Sequence, residues 1–311
     1  MIHLYPIDHI GNGLPESLPK TPAGFLWEGR DHLFFECGKH AIRHVIRSLH
    51  IGRNDEVAIL TSSDSTYVST CVSATIFNFC KISRRLSNHT RAIFVIHEFG
   101  VPHPRISELS ATARERGIPL IEDCAHTFDS RHQGRRVGTF GDFTIYSLKK
   151  HLPMTNGGIL VGERLEGSGG VFSEGVAESV QRNFEPLEPY IAALSRARRR
   201  HFNWWARQFP EMPQVFNWQD EWTPYFMMFR SAAAGEFYRL FDCVGAEWGR
   251  THVDGWIAAP TQPLASLGEL QEAAVVLHDF VAEQPGATAS PASGRPLPEL
   301  RRRSSAGAHP R

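Results

Sequence analysis

Apolar residues recur along the chain at two spacings, one helical and one of short runs. Ala41, Ile42, Val45 and Ile46 fall at helical spacing behind Gly38, which predicts an amphipathic helix over residues 38–50. Further helices are predicted at 67–79 and 106–116, and strands at 56–60, 91–96, 118–122, 141–147 and 157–161. Short strands alternating with helices are typical of an α/β fold, a largely parallel sheet flanked by helices.

The pattern changes after about Leu165. Residues 223–230 predict a strand with helices on either side, so we expect a smaller α+β C-terminal domain. We interpret the basic run at 196–200 as a solvated helix face or dimer surface, and most tryptophans of this part as packing residues. The predicted divisions are an N-terminal arm (1–30), a large domain (31–190), a small domain (191–283) and a disordered tail (284–311).

Composition narrows the possible functions. The 33 basic and 33 acidic residues give a formal charge of zero, which argues against nucleic-acid or membrane binding. No apolar run approaches the roughly 20 residues of a membrane span, and residues 1–8 lack a signal-peptide pattern. The five cysteines show no CxxC spacing, so we expect free thiols rather than a metal site, in a reducing compartment such as the cytoplasm.

Two residues carry a chemical signal. Lys150 follows the predicted strand at 141–147 and Asp123 ends the strand at 118–122. A pyridoxal phosphate (PLP) site requires a buried lysine, which forms a Schiff base with the cofactor aldehyde, and an acid that keeps the pyridine nitrogen protonated. Each residue also has a simpler interpretation, since most loop lysines are solvated and many aspartates only cap a turn.

Several segments in the right order match a family pattern. Residues 90–93 (TRAI) and 96–100 (IHEFG) are similar to TKAI and VHxYG, and residues 117–126 (GIPLIEDCAH) to GIPVIEDAAQ. Residues 134–142 (GRRVGTFGD) are similar to GKxVGSFGD. The chain therefore resembles the DegT/DnrJ/EryC1/StrS sugar aminotransferases. The resemblance implies PLP-dependent transferase fold type I, a large domain with a mainly parallel sheet and a smaller α+β domain.

The resemblance also implies roles for individual residues. Lys150 stands seven residues before Gly157, the usual spacing of the family's Schiff-base lysine, and Lys149 is the alternative. Asp123 matches the partner of the pyridinium nitrogen, and Ser147 matches a serine that contacts the phosphate. His126 stands where the family generally has glutamine, near the cofactor ring or its phenolic oxygen.

Two further segments are assigned to the cofactor by resemblance. Gly38 and Lys39 match a Gly-Thr-x turn whose amides, at a helix N-terminus, hold the phosphate, with Lys39 in place of the hydroxyl residue. Residues 66–70 (TYVST) are similar to TFxAT, so Tyr67 is expected to lie over the cofactor ring. Packing in the core is the other interpretation of Tyr67.

The implied reaction moves an amino group from an amino acid, expected to be glutamate, to a keto-sugar that is usually nucleotide-linked. Family members are homodimers with the site at the subunit interface, so a dimer is expected. In the C-terminal part, residues 199–202 (RRHF) and 224–226 (PYF) resemble RRxNY and PYxF only faintly. The sugar pocket is not defined by this match.

Some features depart from the family. The segment from Ala74 to Thr90 is short, and we expect it to have lost a strand and a helix. A relative that keeps the fold without activity, acting as a binding or scaffold protein, is therefore an alternative. A PLP-dependent sugar dehydratase is another, because histidine replaces the lysine in those enzymes and His151 follows Lys150.

Overall fold

One sheet lies at the centre of the computed structural model, which describes residues 14, 18–21, 24–63, 68–163, 165, 174–238 and 254–282. The strands are β1 (Asp31–Phe35), β2 (Glu56–Thr61), β3 (Lys81–Ser83), β4 (Thr90–Ile96), β5 (Leu120–Asp123), β6 (Arg131–His132), β7 (Arg135–Arg136), β8 (Phe143–Ser147), β9 (Gly158–Gly162), β10 (Phe226–Arg230) and β11 (Trp256–Pro260). The α-helices are α1 (Gly38–Ser48), α2 (Thr70–Phe77), α3 (Ile106–Arg116), α4 (Glu174–Phe184), α5 (Ile191–Gln208) and α6 (Leu267–Ala282).

The central sheet has the strand order β1-β9-β8-β5-β4-β2-β3. The strands from β8 to β3 are parallel to one another, whereas β9 runs antiparallel to both β8 and β1. Because parallel neighbours need a crossover, helices cover this sheet. The predicted α/β class with a mainly parallel sheet is confirmed.

Alternation along β4 explains why both faces of the sheet are covered. Phe94 packs in the cluster that contains Ile42 of α1, whereas Ile93 packs with Leu109 of α3 in a second cluster. Successive side chains of a strand point to opposite faces, so an apolar strand needs a helix on each side. The apolar residues of α1 at positions 41, 42, 45 and 46 are buried, as their spacing predicts.

The short segment between α2 and β4 keeps its strand. β3 pairs parallel with β2 at the sheet edge, so the expectation that a strand is lost is wrong. Residues 84–89 connect β3 to β4 without a helix. The Arg84 guanidinium donates to the Ile59 carbonyl oxygen (3.0 Å) and to Thr61 Oγ1 (2.7 Å). These acceptors lie just beyond Ala58, the last residue of β2 that pairs with β3. The Arg84 side chain therefore forms hydrogen bonds with the part of β2 that β3 does not reach.

A second core forms in the C-terminal part, where α5 and α6 pack on the antiparallel pair β10–β11. Trp205 of α5 is fully buried, and its indole N–H donates to the Pro260 carbonyl oxygen over 2.8 Å. The interpretation of the basic run as a solvated face is wrong for Arg198, which is only 2% exposed. Arg196 and Arg200 of the same helix are exposed.

The predicted tail at 284–311 and residues 1–13 of the predicted arm lie outside the described residues. The domain boundaries near residues 30, 190 and 283 stay predictions. Within the described part of the chain, no helix is both long and apolar enough to cross a bilayer.

Candidate active site

Lys150 lies on a single 3-10 turn, Leu148–Lys150, that follows β8 directly. The backbone N–H of Leu148 donates to the Gly157 carbonyl oxygen (3.0 Å), and the Gly157 N–H donates to that of Glu36 (2.7 Å). Gly157 has a φ of +122°, and a Cβ there would lie 2.9 Å from the buried Leu148 side chain. Glycine at this position therefore closes the loop that carries Lys150.

The Lys150 amine interacts with two other predicted site residues. Its Nζ is 2.8 Å from His126 Nε2. Burial lowers the pKa of Lys150, while the negative charge of Asp123 acts in the opposite direction. The fold thus brings together three side chains from the ends of separate segments.

Asp123 is the last residue of β5, between β4 and β8 in the sheet. Its Oδ1 accepts a hydrogen bond from the Ala125 backbone N–H over 2.9 Å. Burial raises the pKa of Asp123, and the Ala125 hydrogen bond and the charge of Lys150 oppose that rise. The carboxylate lies at the carboxyl end of a parallel strand, where ligands of such sheets bind.

Two aromatic rings stack on the His126 ring. The Tyr225 ring is stacked on one side with centroids 4.7 Å apart, and the Phe99 ring stacks with centroids 5.6 Å apart. His126 Nδ1 accepts a hydrogen bond from the Phe99 backbone N–H over 3.2 Å. These contacts fix both the plane of the imidazole and the direction of its nitrogens.

Glu122, the neighbour of Asp123, organises the layer beneath the site. One carboxylate oxygen accepts hydrogen bonds from His97 Nε2 (3.0 Å) and the Gly138 N–H (2.8 Å). The other accepts from the N–H groups of Phe140 and Gly141, each at 2.7 Å. Burial raises the pKa of Glu122, but the His97 hydrogen bond and the amides outweigh it and hold the pKa below its usual value.

His97, Glu122 and Cys124 offer three ligand atoms within 4.8 Å of one another, as a metal site would. However, both Glu122 oxygens already accept the four hydrogen bonds described above. His97 Nδ1 accepts from the His103 backbone N–H over 3.0 Å. We therefore interpret this cluster as a structural hydrogen-bond network.

The residues predicted to hold a phosphate meet at one corner of the sheet. Gly158 of β9 pairs with Ser147 of β8 on one side and with Phe35 of β1 on the other. Phe35 is the last residue of β1, and α1 begins three residues later at Gly38. A Cβ on Gly158 would lie 2.6 Å from the Gly38 nitrogen, so glycine allows the helix start to approach the strand ends. The N-cap of α1, Cys37, makes no side-chain cap hydrogen bond. Helix N–H groups without a cap suit an anion.

Arg198 of α5 joins the C-terminal part to the site. Its guanidinium donates to three neutral oxygens: the main-chain oxygen of Lys150 (2.7 Å), the main-chain oxygen of Tyr225 (3.3 Å) and Thr261 Oγ1 (3.4 Å). It also lies over the Tyr225 ring, 4.7 Å from the centroid. Burial lowers the pKa of Arg198 to about 10.

Sequence reasoning missed Glu122, Phe99, Tyr225 and Arg198 as parts of the site. Glu122 and Phe99 stand inside the motifs discussed above. Glu122 is next to Asp123 and Phe99 is two residues after His97, and these positions were the available signal. Tyr67, predicted to cover the cofactor ring, lies outside the described residues.

A sequence model of the DegT/DnrJ/EryC1/StrS aminotransferase family matches residues 35–164, the segment that contains Asp123, His126 and Lys150. Residues 35–164 therefore match the same family that the motifs indicate. The resemblance inferred from the motifs is thereby confirmed.

Curated members of the family match parts of the chain. UDP-N-acetyl-3-dehydro-alpha-D-glucosamine 3-aminotransferase of Acidithiobacillus ferrooxidans is 27% identical over 224 residues, 58% of this chain and 60% of that protein. GDP-perosamine synthase of Escherichia coli O157:H7 is 36% identical over 76 residues, 24% of this chain and 21% of that protein. The matches thus span from about a fifth to three fifths of these relatives.

Solved structures extend the likeness to the C-terminal part. The putative sugar aminotransferase Spr1654 from Streptococcus pneumoniae, in its PLP form, has a TM-score of 0.64 at 13% identity, covering 90% of this chain and 97% of that one. The aminotransferase TlmJ from Streptoalloteichus hindustanus has a TM-score of 0.63 at 16% identity, covering 91% and 99%. The chain therefore has the fold of PLP-dependent aminotransferases, as the resemblance implied.

Proposed function

We propose that this protein is a PLP-dependent aminotransferase that transfers an amino group from an amino acid to a keto-sugar. The family match of residues 35–164 supports the reaction, and the relatives named for UDP- and GDP-linked sugars support a nucleotide-linked acceptor. We propose glutamate as the donor. A second matching relative is named for glutamine, so glutamine is the first alternative to compare.

The observation that carries the proposal is the position of the Lys150 amine, buried beside Asp123 and His126 at the carboxyl end of the sheet. A surface lysine has no such surroundings. Burial lowers the pKa of Lys150, which favours the neutral amine that acts as a nucleophile.

The residues present fit PLP. Lys150 supplies an amine for the cofactor aldehyde, and Asp123 has a buried carboxylate for the ring nitrogen. Ser147, Lys39 and the uncapped N-terminus of α1 at Gly38 suit the phosphate. When bound, PLP supplies a ring that accepts electrons from the substrate carbon.

The chain's own groups position the reactants and move protons. Lys150 Nζ serves as the general base that takes a proton from the α-carbon of the donor. It then serves as the general acid that returns this proton to the reacting carbon. Asp123 would keep the ring nitrogen of the cofactor protonated. The Tyr225 and Phe99 rings stack on His126 and hold its imidazole in one plane. Following the resemblance, we also propose a homodimer with the site at the subunit interface.

His151 gives no support to the dehydratase alternative. Its Nε2 contacts the Ala125 carbonyl oxygen over 3.1 Å, and its ring packs on Phe128 with centroids 4.1 Å apart. The non-catalytic alternative rested on the loss of a strand and a helix. β3 occupies the place of the strand, whereas residues 84–89 contain no helix, so this alternative is weaker but keeps part of its basis.

Reconstitution with PLP, borohydride reduction and peptide mapping test the proposal. We expect a reduced adduct on Lys150 in the wild type, which persists in Lys149→Ala and is lost in Lys150→Ala. The reconstituted enzyme should then convert a nucleotide-linked keto-sugar with glutamate. A folded protein with no adduct on either lysine would rule out the aminotransferase and favour a binding or scaffold protein.

A further inference from the structure

Three contacts fix the orientation of the His126 imidazole: two stacked aromatic rings and one hydrogen bond to Nδ1. Tyr225 and Phe99 stack on its faces, with interplanar angles of 11° and 17°. These two residues are themselves tied together, because the Tyr225 backbone N–H donates to the Phe99 carbonyl oxygen over 2.8 Å. The ring is therefore clamped in one plane.

The hydrogen bond at Nδ1 decides which nitrogen carries the proton. The Phe99 N–H donates to Nδ1, so Nδ1 has a lone pair and not a hydrogen. A neutral imidazole carries its single proton on the other nitrogen, which is Nε2. That nitrogen lies 2.8 Å from Lys150 Nζ.

An N–H group can donate to Lys150 only if the lysine has a lone pair. An ammonium group has three donors and no acceptor, so it would oppose the Nε2–H, whereas a neutral amine accepts it. We propose that His126 is a positioning residue, which donates from Nε2 to Nζ and holds Lys150 as a neutral amine. The inference deepens the proposed function, because the neutral amine is the form that attacks an aldehyde.

The charged and titratable groups around the pair act in both directions. Asp123 on β5 and Cys71 on α2 favour the charged form of Lys150, whereas burial and the neighbouring Lys149 disfavour it. Burial is the largest cause that holds the pKa of His126 well below its ordinary value, and the positive charge of Arg198 acts in the same direction without requiring a charge on Lys150. His126 therefore stays neutral, as the hydrogen-bond pattern requires.

Competitive acetylation of the full-length, cofactor-free protein tests the inference. Lys150 labelling by acetic anhydride is measured by peptide mass spectrometry between pH 6 and 11, relative to the exposed Lys81. In His126→Gln, the amide oxygen can accept from an ammonium group, so the charged form returns. At pH 8 we expect the relative labelling of Lys150 to fall about tenfold, the effect of one pKa unit. His278→Gln, which changes an exposed histidine that packs on Phe209, should match the wild type.

Two results would overturn the inference: a wild-type Lys150 profile that follows Lys81, or a His126→Gln profile that follows the wild type. If His126→Gln does not fold, nitrogen-15 NMR of histidine-labelled wild type decides, and an Nδ1–H tautomer of His126 would contradict it. Labelling requires no cofactor. A shifted Lys150 profile without PLP binding would therefore remove the proposed function and keep the inference. PLP binding with a Lys150 profile that follows Lys81 would keep the proposed function and remove the inference.

Discussion

The Arg198 guanidinium donates to the main-chain oxygen of Lys150 over 2.7 Å. This bond links α5, in the C-terminal part, to the turn that carries Lys150. Because Arg198 also binds the main-chain oxygen of Tyr225, one buried side chain holds Lys150 and a ring that stacks on His126. The site is therefore built by both parts of the chain.

Replacing Arg198 should weaken both the fold and the site. Arg198→Met keeps most of the volume but leaves buried oxygens of Lys150 and Tyr225 without this donor. We expect the free energy of unfolding, measured by urea denaturation, to fall by about 1–3 kcal/mol. The matched control is Arg196→Met on the exposed face of the same helix, which should stay within about 0.5 kcal/mol of wild type. Equal effects of the two changes would contradict this role.

Replacing Asp123 should affect chemistry more than stability. Asp123→Asn removes the negative charge of the carboxylate that is proposed to keep the ring nitrogen of PLP protonated. Without this charge the protonated ring nitrogen is no longer favoured. We expect kcat of the reconstituted enzyme to fall by roughly 10²-fold or more, the range typical of lost proton-transfer assistance. Asp31→Asn, on the exposed first residue of β1, is the control. Wild-type turnover by Asp123→Asn would remove Asp123 from the site.

Glu122 should make stability depend on pH. The pKa of Glu122 is held below its usual value, so its stabilisation is present above the unfolded pKa near 4.5 and is lost as pH falls through the folded value. We expect Glu122→Gln to be less stable than wild type by about 2–4 kcal/mol at pH 7. This difference should shrink below about pH 4.5 as the carboxyl takes up a proton. Urea denaturation at several pH values measures it.

Glu115→Gln, on the exposed side of α3, is the control for Glu122 and should change little at any pH. A Glu122→Gln difference that stays constant from pH 7 to about pH 3 would show that the charge of Glu122 is not what stabilises the loop at 138–141.

Gly158 should be required for the close approach of β9 to the start of α1, where the phosphate is proposed to bind. Gly158→Ala places a Cβ 2.6 Å from the Gly38 nitrogen, so the start of α1 must move. We expect a loss of about 1–3 kcal/mol in unfolding free energy, as for other overpacked sites, and weaker PLP binding by absorbance titration. Gly175→Ala, where a Cβ would meet nothing within 4 Å, should be neutral or slightly stabilising. Unchanged PLP affinity in Gly158→Ala would contradict the assignment.

Local pattern was enough to predict several elements closely. The helix predicted at 106–116 is α3 with the same bounds, and α1 ends two residues before its predicted end at His50. Helical spacing and apolar runs depend on neighbouring residues alone, so they can be read from the chain. The helix predicted at 67–79 is shorter, since α2 spans Thr70–Phe77.

The sequence by itself determined the α/β class, the family resemblance of residues 35–164 and the candidates Lys150, Asp123 and His126, because these depend on local periods and contiguous motifs. Tertiary structure alone decided that β3 pairs at the sheet edge, since three residues carry no periodic signal. It also decided that Arg198 is buried, because the environment of a helix face depends on what packs against it. The hydrogen bonds of His126 to Phe99 and Lys150 join residues 27 and 24 positions apart, and no local pattern encodes them.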